Sequence, residues 1–319
     1  MAATRTIFVA GATGVLGRRV VPQLVAAGHR VTAVARTPEK RAALAAAGTT
    51  PVQIDLFDGQ TLRATLSGHD VLINLATRIP PSSRAMLPWA WRENDRLRRI
   101  ASRELVTAAR AAGVGRFIQE SIAMLYQGGG DAWLDEAAPV RSVRHTHSAL
   151  AAEEAALTFG RMAEAGIVLR IANLYCGESS HTRDTIRHAR GGWAATFGSA
   201  EDFIASVAAD DAAAAVLAAL EVPSGIYNVS DDAPQRRREY FDALSEALGV
   251  PRAKLPPAWL AHLAGSVGEM IARSQRVSNR KLREASGWAP RFPSVREGWR
   301  AVLAEMSGEA GAQPLVPSA

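Results

Sequence analysis

Residues 5–17 read Arg-Thr-Ile-Phe-Val-Ala-Gly-Ala-Thr-Gly-Val-Leu-Gly. A short apolar run, Ile7 to Ala10, passes straight into Gly11, Gly14 and Gly17, and a helix-compatible stretch runs on to Ala27. Strand, glycine turn and helix in that order make a phosphate cradle. Gly11 permits the tight turn, Gly14 lets the main chain approach a pyrophosphate, and Gly17 lets the helix pack close to the strand. The free N–H groups at the helix start then point at the anion. This stretch predicts NAD(P) binding through Gly11, Thr13, Gly14, Val15, Leu16 and Gly17.

Working outward, the chain alternates strand and helix. Gly28-His29 closes the first helix, Arg30 to Ala35 reads as a second strand, and an alanine-rich helix spans Pro38 to Ala47. Strands follow at Val52–Ile54 and Asp70–Leu75, then a long helix from Trp91 to Ala112. A fifth strand at Arg116–Ser121, a helix over Ser148–Ala165 and a sixth strand at Ile167–Ile171 complete the pattern. Strands separated by such helices imply an α/β fold, a Rossmann-type doubly wound parallel sheet with right-handed crossovers. Two long irregular segments, Thr77–Pro88 and Gln127–Thr146, follow the carboxyl ends of strands, where such folds bind ligands. Beyond Gly177 the rhythm loosens, which predicts a smaller C-terminal substrate-binding cap. The expected organisation is a nucleotide-binding domain over residues 1–175 and a cap over 176–305, partly interleaved with the sheet. A disordered tail is expected over 306–319.

Composition fits one globular unit, with 48% hydrophobic and 21% charged residues among 319. Arginine carries nearly all of the net charge of +6, since Lys40, Lys254 and Lys281 are the only lysines. No compact basic run stands out, so nucleic acid is not an expected partner. The single Cys176 excludes an internal disulfide and fits a reducing cytoplasm. The first strand begins almost at once and no apolar stretch reaches ~18 residues, so neither a leader nor a membrane span is expected. The expectation is a cytoplasmic monomer or homodimer acting on a small molecule.

Further motifs occur in a telling order. They are Asp55-Leu-Phe-Asp58, Asn74-Leu-Ala76, Arg170-Ile-Ala-Asn-Leu-Tyr175, Glu201-Asp-Phe-Ile204 with Asp210-Asp211, and Gly225-Ile-Tyr-Asn-Val229. Together with the glycine turn, and from Thr6 to Trp299, the chain resembles an extended or atypical short-chain dehydrogenase/reductase of the epimerase/dehydratase type. The resemblance implies that Asp55 and Leu56 contact adenine and that Leu75, Ala76 and Thr77 lie beside the cofactor after strand four. Asp55 could equally cap the helix that follows it. Asp210-Asp211 reads better as a helix cap than as catalytic carboxylates. Arg36 ends strand two, where an NAD-specific site carries an acidic residue; an arginine there pairs with a 2′-phosphate, which predicts NADP(H) over NAD(H). Lys40 or Arg18 could help neutralise the same phosphate.

The departure from the family is equally informative. Its chemistry normally rests on a Tyr-x-x-x-Lys pair, in which the lysine lowers the tyrosine pKa. No lysine lies between Lys40 and Lys254, and Tyr126, Tyr175, Tyr227 and Tyr240 are followed four residues later by Gly130, Ser179, Asp231 and Leu244. With Ser148 and Glu153 as anchors, His145 falls at the tyrosine position and Ala149 at the lysine position. Three catalytic candidates remain. Ser121, at the end of strand five, could polarise a substrate oxygen or merely satisfy the backbone. His145 could donate a proton near neutral pH or be a plain loop histidine, and Tyr126 is a slower acid in a glycine-rich loop. With no third ligand at sensible spacing, His145 and His147 do not suggest a metal. Trp89, Trp91 and Trp133 flank the long loops and could line an aromatic pocket.

The leading expectation is NADPH-dependent reduction of a carbonyl or conjugated system on a medium-sized apolar molecule, with the proton from His145, Tyr126, water or a tautomerising substrate. A redox-neutral isomerase, dehydratase or cyclase is the alternative within the fold. A non-catalytic NADP(H) sensor is the alternative outside catalysis.

Overall fold

Along Thr6–Ala10 the buried side chains alternate, and that alternation decides the layers. Ile7 and Val9 face one core with Ile73, Ile118, Ile167 and Leu169, while Phe8 and Ala10 face another with Leu72, Phe117 and Val168. A sheet buried on both faces needs helices on both sides. The computed structural model describes residues 3–308, and its elements supply them.

The first half runs β1 (Thr6–Ala10), α1 (Gly17–Ala26), β2 (Arg30–Val34), α2 (Pro38–Ala46), β3 (Thr50–Val52), α3 (Gly59–Leu66) and β4 (Val71–Asn74). Helical residues then continue without a break from Pro88 to Ala111. They pass through a 3₁₀ turn, α4 (Arg92–Arg96), a π turn over Leu97–Ala101 and α5 (Ser102–Ala111). Next come β5 (Arg116–Ile122), β6 (Trp133–Leu134), α6 (His147–Gly160), β7 (Ala165–Ile171) and β8 (Asn173–Tyr175). The C-terminal part adds α7 (Ser180–Arg190), β9 (Phe203–Ile204), β10 (Ser206–Ala208), α8 (Ala209–Ala218) and β11 (Gly225–Val229). It closes with β12 (Gln235–Arg236), α9 (Arg237–Leu248), α10 (Leu260–Leu263), α11 (Gly265–Ala272), β13 (Arg276–Val277), α12 (Arg280–Ser286) and α13 (Val295–Ser307).

Seven strands make one parallel sheet in the order β11-β7-β5-β4-β1-β2-β3. The order reverses between β1 and β4, which opens a crevice at the carboxyl ends of those two strands. Val20, Val21 and Leu24 of α1, with the alanine face of α8, cover one side; Leu62, Leu105, Ala109 and Phe159 of α3, α5 and α6 cover the other. A third core, built by Tyr175, Tyr240, Leu244, Val295 and Trp299, joins α7, α9 and α13 outside the sheet.

Three departures from the sequence reading have a clear physical reason. The third strand lies at Thr50–Val52 and not at Val52–Ile54, because pairing with Thr32–Val34 fixes its register, and Pro51 is tolerated there on an edge strand. The helix expected to reach Ala165 stops at Gly160, because Ala165 pairs with Arg116 at the start of β7. Met306 and Ser307, expected in the tail, end α13 instead; residues 309–319 lie outside the described residues.

Candidate active site

The glycine turn sits at the crevice. Gly11 has φ +80°, and a Cβ there would come within 2.4 Å of the Leu75 carbonyl carbon, so the turn lies directly on the chain leaving β4. At Gly17 a Cβ would reach 2.2 Å from the Gly11 oxygen, which explains how closely α1 packs against the turn. At Gly14 it would meet only that same oxygen, at 3.3 Å, and otherwise open space. The N–H groups of Val15, Leu16 and Gly17 donate to no backbone carbonyl among the described residues, and the first turn of α1 carries no acidic side chain. A positive helix end with free donors beside an open surface fits a pyrophosphate. Leu75 is buried and Ala76 and Thr77 are half-buried at the same edge, with the Ala76 N–H donating to Asn74 Oδ1 at 3.1 Å.

Arg36 is exposed at the end of β2, and neither it nor the exposed Arg18 and Lys40 makes an ion pair among the described residues. Arg19, by contrast, is held by Glu178 and Asp210. Asp55 is exposed and accepts from the Phe57 N–H at 3.0 Å. It does not cap α3: Asp58 does, accepting from the N–H groups of Gln60 and Thr61. Asp210 and Asp211 are not caps either. They occupy the first turn of α8, where Asp211 holds the Arg291 and Phe292 N–H groups.

Two of the catalytic candidates are spent inside the protein. Ser121 lies one residue short of the end of β5, on the face toward α6, and its hydroxyl donates to Glu153 Oε1 at 2.6 Å. Glu153 is in turn gripped by Arg170, Nε to Oε1 at 2.9 Å and Nη2 to Oε2 at 2.8 Å, and both partners are buried. The hydroxyl therefore supports a buried ion pair, and its one proton is given to Glu153 in this arrangement. Tyr126 is fully buried; its hydroxyl donates to Asn228 Oδ1 at 2.7 Å, and its ring lies beneath the Arg170 guanidinium. Burial pushes its phenol further up, against the opposing pull of Arg170. The expected mobile acid is a core residue, because its loop is pinned by Arg273 and Gln275 on the Tyr126 carbonyl.

His145 is different. It is buried just before α6, edge-on to Trp91 with ring centroids 5.2 Å apart, and its Nδ1 bonds Ser266 Oγ of α11 at 2.7 Å. Nε2 is buried with no partner. Burial, aided by Arg144 and opposed by Asp95, lowers its pKa, so the ring is neutral at pH 7. The Trp91 helix also carries Asn94, whose Oδ1 accepts from the Arg78 N–H at 3.0 Å just beyond the cofactor turn after β4. The long-loop tryptophans divide: Trp91 belongs to this site, whereas Trp133 stacks on Arg276 and lines a separate cavity of about 680 Å³ with Asn279, Arg283 and Trp288.

Sequence reasoning missed Asn94 and Ser266, and it quoted Arg170 only as the first residue of a motif. Asn94 carried a usable signal, a polar residue one helical turn from Trp91 on an otherwise buried stripe. Ser266 carried none, since only the tertiary fold brings α11 over His145.

Comparison with known proteins agrees with this geometry. Residues 11–160 match a family model described as NAD(P)H-binding. The chain is 31% identical over 304 residues to a 3-diazoavenalumate denitrifying reductase from a Streptomyces species, covering 92% of this chain and 98% of that one. It is 27% identical over 280 residues to a 4-hydroxy-2-methyl-3-oxo-4-farnesyl-3,4-dihydroquinoline-1-oxide ketoreductase from Stigmatella aurantiaca, covering 84% and 80% of the two chains. Among solved structures, MoeE5 in complex with UDP-glucose and NAD superposes with a TM-score of 0.77 at 23% identity, covering 96% of this chain and all of that one, so the fold is shared.

Proposed function

We propose, for a chain that belongs to the short-chain dehydrogenase/reductase family in its extended, epimerase-like form, that NADPH is the reductant. The acceptor is a carbonyl or conjugated system on a medium-sized apolar, aromatic molecule. The chain is an NAD(P)H-dependent oxidoreductase. The observation that carries the cofactor choice is Arg36, an exposed cation without an ionic partner among the described residues, two residues beyond β2 and next to the strand that enters the glycine turn.

Gly11, Gly14, Gly17 and the N–H groups of Val15 to Gly17 would hold the pyrophosphate, Asp55 and Leu56 the adenine, and Leu75 to Thr77 the nicotinamide side. Bound there, the reduced nicotinamide supplies a hydride. The protein's own part is to orient the acceptor and supply a hydrogen-bond donor without a lysine-tuned tyrosine. His145 supports that reading: its ring is fixed by Ser266 and Trp91, and its free nitrogen is held out of water. Both full-length relatives quoted above are named as reductases, one acting on a diazo compound and one on a ketone, which supports reduction of an electron-poor acceptor.

Titrating NADPH and NADH into the wild type and Arg36→Ala tests the cofactor choice. The wild type should prefer NADPH, and the variant should lose about ten-fold or more in NADPH affinity while keeping its NADH affinity. An unchanged preference in the variant makes Arg36 a bystander. Following NADPH absorbance with aryl ketones, enones and aryl diazo compounds tests the acceptor class. Tight NADPH binding with no oxidation across that panel overturns it.

A further inference from the structure

Buried side-chain atoms without partners are not scattered evenly through this protein. Among the described residues Asn94 Nδ2, Asp95 Oδ1, Arg98 Nε and Nη1, His145 Nε2 and Ser148 Oγ all lack one, and they belong to two facing segments. Trp91, Asn94, Asp95 and Arg98 stand at helical spacing along one stripe. His145 and Ser148 lie three residues apart at the start of α6. The Trp91–His145 ring contact brings the two segments together, and Asp95 is near enough to His145 to favour its charged form. Asn94, Arg98, His145 and Ser148 are each at least nine-tenths buried. An unmade buried hydrogen bond costs about 1–3 kcal/mol, so a cluster of this kind is stable only if something completes it.

The orientations are partly fixed. Asn94 Oδ1 accepts from the Arg78 N–H, so its amide N–H₂ is the free end. Ser266 Oγ and His145 Nδ1 share a hydrogen bond, so the tautomer decides His145 Nε2: it donates where Ser266 gives its proton to Nδ1 and accepts where Nδ1 keeps its own. Arg98 gives only Nη2 to Glu120, at 3.0 and 3.2 Å, and its Nε and Nη1 have no partner among the described residues. The cluster thus offers donors from Asn94 and Ser148, an acceptor in Asp95 and, at His145 Nε2, a group that donates or accepts with the tautomer. A carboxylate would meet the Asp95 charge, and an ether or ketone would leave Asp95 unpaired. A hydroxyl both accepts and donates.

We infer that Asn94, Asp95, His145 and Ser148 form a recognition site for an aromatic or enolic hydroxyl of the substrate, next to the Trp91 ring. This rests on the reductase reading above and narrows its substrate to phenols and enols. Such a hydroxyl, conjugated with the acceptor, can pass its proton to the atom that gains negative charge when hydride adds, and water then reprotonates the hydroxyl oxygen, which suits a chain without the tyrosine–lysine pair. Ser266 of α11 touches the cluster through His145, and Trp91 touches it ring to ring.

Direct binding to the intact protein tests this without turnover. The probes are 2-naphthol, 2-methoxynaphthalene and 2-naphthoate, followed by tryptophan quenching and calorimetry, with and without NADPH. The naphthol should bind about ten-fold or more tighter than the methoxy ether and the naphthoate. Ser148→Ala should weaken naphthol by about five-fold and Asn94→Leu by about ten-fold, with methoxynaphthalene and NADPH affinities unchanged. Ser148→Ala removes one hydroxyl and is expected to fold, so the test survives if Asn94→Leu does not. Tighter binding of naphthoate, equal binding of naphthol and its ether, or no binding of any probe overturns the hydroxyl site. NADPH affinity, measured in parallel, shows separately whether the cofactor reading stands.

Discussion

At Gly11, Gly14 and Gly17 one motif asks three different things of glycine. Gly11 and Gly17 are enclosed by backbone at 2.4 and 2.2 Å, whereas Gly14 faces open space apart from one carbonyl at 3.3 Å. Gly17→Ala should therefore destabilise the fold by about 1–3 kcal/mol, seen as a lower melting temperature. Gly14→Val should melt like the wild type yet lose NADPH binding, because its side chain fills the space above the turn. Normal NADPH affinity in folded Gly14→Val would remove the pyrophosphate from this surface. Ser121 shows the opposite case, a polar residue whose value is internal. Ser121→Ala deletes a 2.6 Å hydrogen bond to the buried Glu153 and should cost about 1–2 kcal/mol while sparing turnover per folded molecule. A turnover loss of about 10²-fold at unchanged stability would restore it as an oxyanion donor.

Among the elements, α6 and β7 are where sequence and structure diverge most. The run from Ser148 to Ala165 is alanine-rich and has no break before Gly160, so local propensity favours helix throughout. The sheet overrides it. Ala165 pairs with Arg116, and Gly166 lies so close to α6 that a Cβ would reach 2.0 Å from the Ala156 oxygen. Gly160 meets the Gly166 nitrogen at 2.5 Å in the same way. Gly160→Ala should push α6 off the strand, lowering the melting temperature and, because His145 and Ser148 start the same helix, weakening ligand binding as well. If Gly160→Ala melts and binds as the wild type does, α6 has more freedom than its packing implies. The cofactor turn was legible because its chemistry is local: three glycines at fixed offsets after an apolar strand. The catalytic candidates were not, because Ser121 and Tyr126 differ from free site residues only by partners at positions 153 and 228, far along the chain.

For the molecule as a whole, the parts meet at β11, which the C-terminal region contributes to the main sheet beside β7. Asp231 follows that strand closely. It is buried and accepts from Ser206 Oγ of β10 at 2.9 Å, while its second oxygen has no partner among the described residues. Burial, reinforced by Asp232, Asp211 and Glu297, pushes its carboxyl well above the usual carboxylate range. The folded protein therefore holds this proton to a higher pH than the unfolded chain does, so this group's contribution falls as pH rises. It is fully present below the ordinary aspartate pKa of about 4 and is lost as pH climbs through the folded value. Other carboxylates act oppositely: Glu178, Asp242 and Glu297 are held low by Arg19, by Arg252 with Arg238, and by Ser294, each against its own desolvation where that applies. Only a difference measurement isolates Asp231. In Asp231→Asn the amide keeps the shape and cannot ionise. Its melting temperature should exceed that of the wild type at pH 8, and the gap should close toward pH 4. A gap independent of pH would mean that Asp231 is ionised in the folded protein and that its charge is compensated by the sheet around it.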